Sequence, residues 1–245
     1  MNNAKIKEIL ESIQGEGLYI GTKQLFIRFC ACNLRCNYCD TDFMPSNINN
    51  KDSFFNFTPD ELIDYIKNHY SINSNSYISL TGGEPLIWND FLLEFMNKLQ
   101  AKYYLETNAT ITENLDRILP YISIISADIK LPSCSGIQDS FTLHDKFFNS
   151  VKHYKVNCAI TRQYNCDDIN IFAKIVFDNK ITQEEIINCI NLARKYDLEL
   201  ILQPKMIADK LSITKEFILD TFKTFNEQYN KIRLIPQVHK FLDVE

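Results

Sequence analysis

Two kinds of segment alternate along this chain: short runs of β-branched and aromatic residues, and stretches whose apolar positions recur at helical spacing. Residues 24–30 (QLFIRFC) read as a strand that runs into a cysteine-rich loop. Thr58, Pro59, Asp60 and Glu61 then combine an N-cap, a first-turn proline and a capping-box acid ahead of Leu62, Ile63 and Ile66, which predicts a helix. Strands over 77–81, 103–107 and 122–129 follow, with helices starting at about Asn89 and Thr112. In the second half, 171–177 reads as a strand, Thr182 with Glu185 caps a helix, 199–203 reads as a strand, and a helix from about Thr214 precedes a strand over 232–235. Residues 132–170 read as short helices and loops. This is βαβ logic with parallel strands, and without a linker or internal repeat it predicts one domain over 1–245.

Polar, glycine-bearing or cysteine-bearing signatures follow the carboxyl ends of successive strands: the cysteines, then residues 81–85, 106–108 and 128–130. Barrel enzymes place their active sites at that end, and so do doubly wound open sheets. The expected fold is α/β, a partial, incompletely closed TIM-type barrel of mostly parallel strands.

Composition narrows the chemistry. At 245 residues with 45% hydrophobic content the chain can bury a substantial core. Its net charge of −5 comes with mixed signs and no basic run suited to a phosphate backbone, so nucleic acid is not an expected partner. The N-terminal segment lacks signal-peptide character and no later apolar stretch suits a bilayer, so a soluble cytoplasmic protein without membrane contact is expected. Four of eight cysteines crowd into residues 30–39, which favours metal over disulfides. Only six glycines occur, far below average usage of roughly 7%, and five of them sit in two tight groups, at 15–21 and 82–83.

Cys32, Cys36 and Cys39 have three and two residues between them, a spacing that lets one short loop converge three thiolates on an inorganic cluster. A [4Fe-4S] cluster held by three thiolates leaves one iron open to chelate S-adenosylmethionine (SAM). The alternatives are a four-cysteine zinc knuckle that also uses Cys30, or unliganded thiols. Zinc is weakened by the lack of a second ligand pair, because Cys134, Cys158, Cys166 and Cys189 are scattered and read as small buried hydrophobes.

Together with Thr81-Gly82-Gly83-Glu84-Pro85, the triplet resembles the radical SAM superfamily. Gln14-Gly15-Glu16-Gly17, Arg28, the Cys39-Asp40-Thr41 run, Glu106-Thr107-Asn108, residues 126–133, Gln203-Pro204 and the tail motif Gln237-Val238-His239-Lys240 resemble the 7-carboxy-7-deazaguanine synthase family over nearly the whole chain. The resemblance implies a Mg²⁺-dependent ring contraction of 6-carboxy-5,6,7,8-tetrahydropterin with loss of ammonia. It also implies a homodimer, and an electron donor such as flavodoxin or ferredoxin. On this pattern Glu16, Arg28 and Thr41 form the catalytic set. Cys32, Cys36, Cys39 and Thr41 ligate metal, with Thr41 on Mg²⁺. Ile13, Gln14, Gly15, Arg28 and Thr81 meet the pterin. Tyr38, Cys39, Asp40, Gly83, Ser126, Asp128, Lys130 and Gln203 surround SAM, and Gln237 and His239 close the substrate side.

Arg28 interrupts an apolar strand, where a guanidinium suits a carboxylate bidentately; its structural alternative is a buried ion pair with Glu16 or Glu106. Thr41 without the resemblance reads as a helix cap. Two departures stand out: Ala31 and Ala109 occupy positions where the family reads glycine. The rivals are a radical SAM activase that installs a glycyl radical on a partner protein, and a non-catalytic zinc module.

Overall fold

The computed structural model describes residues 2–39, 54–161, 169–207 and 209–242. The chain opens on β1 (Ala4–Ile13), which pairs antiparallel with β2 (Lys23–Phe29) and, on its other edge, with the short β3 (Phe55–Phe57). Then α1 (Pro59–His69) leads to β4 (Tyr77–Gly82), α2 (Asn89–Lys98), β5 (Lys102–Thr107), α3 (Leu115–Ile118) and β6 (Ile122–Asp128). The second half runs through α4 (Pro132–Ser135), α5 (Ser140–Thr161), β7 (Asn170–Phe177), α6 (Gln183–Tyr196) and β8 (Glu199–Pro204). A pair formed by β9 (Met206–Ile207) and β10 (Lys210–Leu211) precedes α7 (Lys215–Asn226), β11 (Ile232–Leu234) and α8 (Val238–Leu242).

The nine-stranded sheet has the order β11-β8-β7-β6-β5-β4-β2-β1-β3, parallel from β11 to β2 and antiparallel beyond. Its two end strands do not pair, so the fold is the expected partial barrel. The period-two alternation of each strand divides the work. One face, including Ile27, Leu80, Leu105, Ile175 and Leu202, is buried beneath the helices and forms the main core. The other faces the barrel interior. There Tyr104, Ile124, Phe172 and Ile201 make a second apolar cluster with Leu18, Tyr19, Tyr77 and Ile235, which floors the barrel. Two residues further along the same face, the side chains turn polar: Glu106 after Tyr104, Ser126 after Ile124, Lys174 after Phe172 and Gln203 after Ile201.

The capping boxes at Thr58/Glu61 and Thr182/Glu185 form as the sequence predicts, with Thr58 Oγ1 accepting Glu61 N–H at 3.3 Å and Glu61 Oε2 accepting Thr58 N–H at 2.8 Å. Several elements differ. β1 and β3 are not foreseen, because the mixed charge and apolar content of residues 4–13 has no clean period. The helix expected from Thr112 is only α3 and a 3₁₀ turn (Leu119–Tyr121), since Pro120 cannot continue it and Asn114 starts it in the left-handed region at φ 56°. Conversely, the stretch read as short helices holds the 22-residue α5. Its buried seam is His144, Phe147, Phe148, Val151 and Cys158; histidine and cysteine disguise the apolar period, and Val156 and Ile160 lie off it, exposed. Among the described residues, no helix is long and apolar enough to cross a membrane.

Candidate active site

The carboxyl ends of the parallel strands surround two adjoining clefts. The first is lined by Cys32, Cys36 and Cys39, by Thr81 to Gly83 at the end of β4, by Glu106 to Asn108 at the end of β5, and by Tyr38, Asp128, Lys130, Lys174, Gln203 and Lys205. The second is lined by Ile13, Gln14, Gly15, Arg28 and His239. Glu16, Thr81, Glu106 and Gln237 border both. Apart from Ser126, which lines neither, the described residues expected at SAM and those expected at the pterin line two neighbouring cavities with a shared wall. Asp40 and Thr41 lie outside the described residues.

The cysteine loop is pinned from both sides. Gly83 N–H donates to Phe29 O and Glu84 N–H to Ala31 O, each at 2.9 Å, so the loop after β4 lies flat against the chain entering Cys32. A Cβ on residue 83 would stand 1.7 Å from Ala31 O, so only glycine permits this approach. On the other side Asn37 N–H donates to Ser135 O at 2.9 Å, docking the loop on α4. α4 is held in turn by the Glu185 carboxylate, which accepts from Ser133 N–H at 2.8 Å and from its hydroxyl at 2.7 Å. Glu84, wholly buried, ties β4 to β5: it accepts from Leu86 N–H at 3.1 Å, Thr107 Oγ1 at 2.8 Å and Asn108 N–H at 2.7 Å. Burial pushes its carboxyl up to about 7, against those three donors.

These residues fit a three-thiolate cluster with SAM. Cys32 Sγ accepts from Leu34 N–H at 3.4 Å and Asn108 Nδ2 at 3.8 Å, the kind of N–H to sulfur bonding that tunes iron–sulfur clusters. Burial pushes the Cys32 and Cys36 thiols up, while the Lys130 ammonium opposes it. Tyr38 OH and Gln203 Oε1, both on the first cleft, are buried with no hydrogen-bond partner, which is what a polar ligand would supply. Two ammonium groups approach the Tyr38 ring, Lys130 at 5.5 Å and Lys205 at 5.9 Å from its centroid. Cys30 is buried elsewhere, on the side of Lys5 and Lys7, and does not line the cleft.

A polar row joins the clefts. Thr81 Oγ1 donates to Glu106 at 2.6 Å, Gln14 Nε2 donates to Glu106 at 2.8 Å, and Glu16 N–H donates to Gln14 Oε1 at 3.0 Å. The Glu16 carboxylate pairs with Lys174 and accepts from Gln237 Nε2 at 2.8 Å; Lys174 also reaches Asp128 at 3.3 Å, and Asp128 pairs with Lys130 at 2.7 Å. Burial alone would raise the Glu16 carboxyl, but Lys174, Gln237 and His239 outweigh it and hold the group at about 2. Burial likewise opposes the charge of Lys174, and Asp128, Glu16 and Glu106 overcome it, keeping the ammonium above its ordinary range.

The tail closes the second cleft: Val238 N–H donates to Gly15 O at 2.9 Å, and His239 packs so closely that a Cβ on residue 15 would meet its Nδ1 at 2.4 Å. Two sequence-level expectations are adjusted. Arg28 pairs with Glu8, its cross-strand neighbour, and not with Glu16 or Glu106. Ser126 is buried behind the cleft with its hydroxyl bonded to Tyr104, and lines neither cavity. Sequence reasoning missed Glu84 as a brace, and Lys174 and Lys205 altogether. Lys174 carried the same signal as Arg28, a cation inside an apolar strand.

His144 of α5 braces the loops from beneath. It is fully buried; Nε2 accepts Lys130 N–H at 2.9 Å and Nδ1 lies 3.2 Å from Ala109 O, so its partners assign the Nδ1–H tautomer. Ala109 and Ala31 both stand in the left-handed region, at φ 53° and 67°.

Residues 26–202 match the family model described as the Radical SAM superfamily. Over 98% of its length the chain is 32% identical to a 7-carboxy-7-deazaguanine synthase of Geobacter sulfurreducens, covering 97% of that protein. It is 31% identical, again over 98% of its length, to the synthase of Archaeoglobus fulgidus, of which it covers 99%. Among solved structures, QueE from Escherichia coli superposes with a TM-score of 0.63 at 18% identity, covering 97% of this chain and 95% of that one, a likeness of fold.

Proposed function

Because the chain belongs to the 7-carboxy-7-deazaguanine synthase family of radical SAM enzymes, we propose that its first cleft holds the cluster with SAM and its second holds 6-carboxy-5,6,7,8-tetrahydropterin. The single observation that carries this division is the shared wall of Glu16, Thr81, Glu106 and Gln237, which sets the two ligands side by side. The family name sets aside the activase and zinc-module readings.

A [4Fe-4S] cluster on Cys32, Cys36 and Cys39, when bound, supplies the electron that cleaves SAM. The chain's own residues do the rest. Tyr38 and Gln203 offer unpartnered polar atoms to SAM, and the ammonium groups of Lys130 and Lys205, paired with Asp128 and Asp178, stand over the Tyr38 ring. On the substrate side, Arg28 is the cation for the pterin carboxylate. It is held by Glu8 across the strand pair, so the incoming carboxylate joins an arginine already oriented. Glu16, at about 2, is too weak a base to accept a proton near neutral pH. Its role is that of a fixed anion, accepting hydrogen bonds from the N–H edge of the pterin. Gln14 and Thr81 both donate to Glu106, which completes that wall.

Mg²⁺ is assigned to Thr41 on the family pattern alone, outside the described residues, and no step here depends on it. One radical SAM domain over 1–245, a homodimer, a flavodoxin or ferredoxin donor and a cytoplasmic setting complete the proposal. The test is anaerobic reconstitution with iron and sulfide, reduction, and addition of SAM, Mg²⁺ and the pterin, with mass detection of 7-carboxy-7-deazaguanine. SAM cleavage to 5′-deoxyadenosine without that product would leave the superfamily standing and remove the substrate.

A further inference from the structure

We propose that Lys174 is the positioning residue for substrate recognition: from the wall of the first cleft, it fixes the Glu16 carboxylate on the wall shared with the second. This rests on the reading of the second cleft as the pterin site.

Lys174 sits on the interior face of β7, in register with Asp128 of β6, with its side chain only 9% exposed. Its neighbours Ala173 and Ile175 are fully buried on the opposite face, so the strand carries one cation inward amid apolar residues. Placing an ammonium there is costly unless it is paired on several sides. It is: Asp128 comes from β6 at 3.3 Å, Glu16 from the loop after β1, and the Glu106 carboxylate of β5 adds its field. Among the described residues it is the cation that touches both Asp128, on the SAM side, and Glu16, on the shared wall.

The geometry at Glu16 shows what the lysine achieves. One carboxylate oxygen meets Lys174 and the other accepts from Gln237, so the group is gripped at both ends. Each oxygen keeps lone-pair capacity for a further donor. A carboxylate held this way is ready to accept two parallel N–H groups, such as the 2-amino and ring N–H edge of a pterin, without having to be ordered on binding. At Asp128 the Lys174 charge is duplicated by Lys130 at 2.7 Å, whereas among the described residues Lys174 is the salt-bridge partner of Glu16, so its specific effect falls on Glu16.

The test is equilibrium binding of 6-carboxy-5,6,7,8-tetrahydropterin to the SAM-loaded holoenzyme under anaerobic conditions, from pH 5.5 to 8. Lys174→Met is expected to weaken pterin binding about tenfold or more at pH 7.5, with a smaller change in SAM affinity. The loss should deepen toward pH 5.5. Without the lysine, the groups that still face Glu16 are His239 and Gln237 from the tail, the carboxylates Glu106 and Asp128, and the neutral Tyr104 hydroxyl; these leave a buried carboxyl to take up a proton. In a Glu16→Gln background, Lys174→Met should add little, because the anion it positions is gone.

Several outcomes overturn the proposal. Wild-type affinity in Lys174→Met across the pH range would do so, as would an equal loss in both backgrounds. So would failure to take up the cluster in both backgrounds, which would make the lysine a packing element independent of Glu16; failure in the single variant with recovery in the double would instead support it. No pterin binding by the wild type would remove the substrate reading and the proposal together, whereas binding by wild type and Lys174→Met alike removes the proposal alone.

Discussion

His144 ties the stability of the SAM side to pH in a way that one substitution exposes. Buried without a facing anion close enough to hold its proton, the imidazole is neutral, with its pKa held down at about 4 against an ordinary 6.5. The unfolded chain therefore takes up this proton before the folded one does, and stability falls as pH drops through the window from 6.5 to 4. At pH 5.5 the two values give roughly a tenfold factor in the folding constant, or about 1 kcal/mol; at pH 7.5 the contribution is negligible. His144→Leu, similar in volume, removes that linkage and leaves Lys130 N–H and Ala109 O without their partner. The variant should be less stable than wild type by about 1–3 kcal/mol at pH 7.5, and the gap should narrow by about 1 kcal/mol at pH 5.5. Urea titrations of both anaerobic holoproteins at the two pH values, followed by far-ultraviolet circular dichroism, measure this double difference, in which other titrating groups cancel. A gap that stays constant, or widens toward acid, would refute the argument, because it would mean the fold accommodates the imidazolium.

Three further expectations are simpler. Cys36→Ala should abolish cluster uptake, read as iron and labile sulfide per chain, whereas Cys30→Ala, altered on the far side toward Lys5 and Lys7, should retain it; loss in both would make Cys30 a ligand. Ala31→Gly relieves about 1–2 kcal/mol of left-handed strain at a cost of about 0.5–1 kcal/mol in unfolded-chain entropy, so thermal melting should rise by about 1–3 °C, and a fall would show the methyl packs usefully. Gln203→Leu should weaken SAM binding about tenfold in a calorimetric titration with little change in melting, because its buried Oε1 has no protein partner to lose; unchanged SAM affinity would take Gln203 out of the site.

Local chemistry was the legible part. The strands of the parallel sheet, the two capping boxes, the three-cysteine loop and the glycine pair after β4 each depend on residues within a few positions of one another, so propensity and spacing suffice to find them. β1 escaped because its pairing, not its own alternation, makes it a strand: Glu8 and Arg28 are neighbours only across a register that shifts between Ile6 and Glu8. α5 escaped because a neutral histidine and a cysteine stand in for apolar residues on its buried face, and a residue's buried state is set by what packs on it.

The site divides along the same line. By itself the sequence determined which residue types were present for cluster, SAM and substrate chemistry, and that they follow strand ends, because a barrel delivers the carboxyl ends of its strands to one rim. What only the tertiary structure decided is who meets whom across that rim. Arg28 pairs with Glu8, Ser126 turns to Tyr104, Glu84 fastens β4 to β5, the tail returns to Gly15, and Lys174 joins Glu16 to Asp128 over separations of 158 and 46 positions along the chain. The physical reason is that charge partners interact through distance and burial. Neither is written into neighbouring letters; both follow once strand register places two interior-facing side chains at the same height in a low-dielectric barrel.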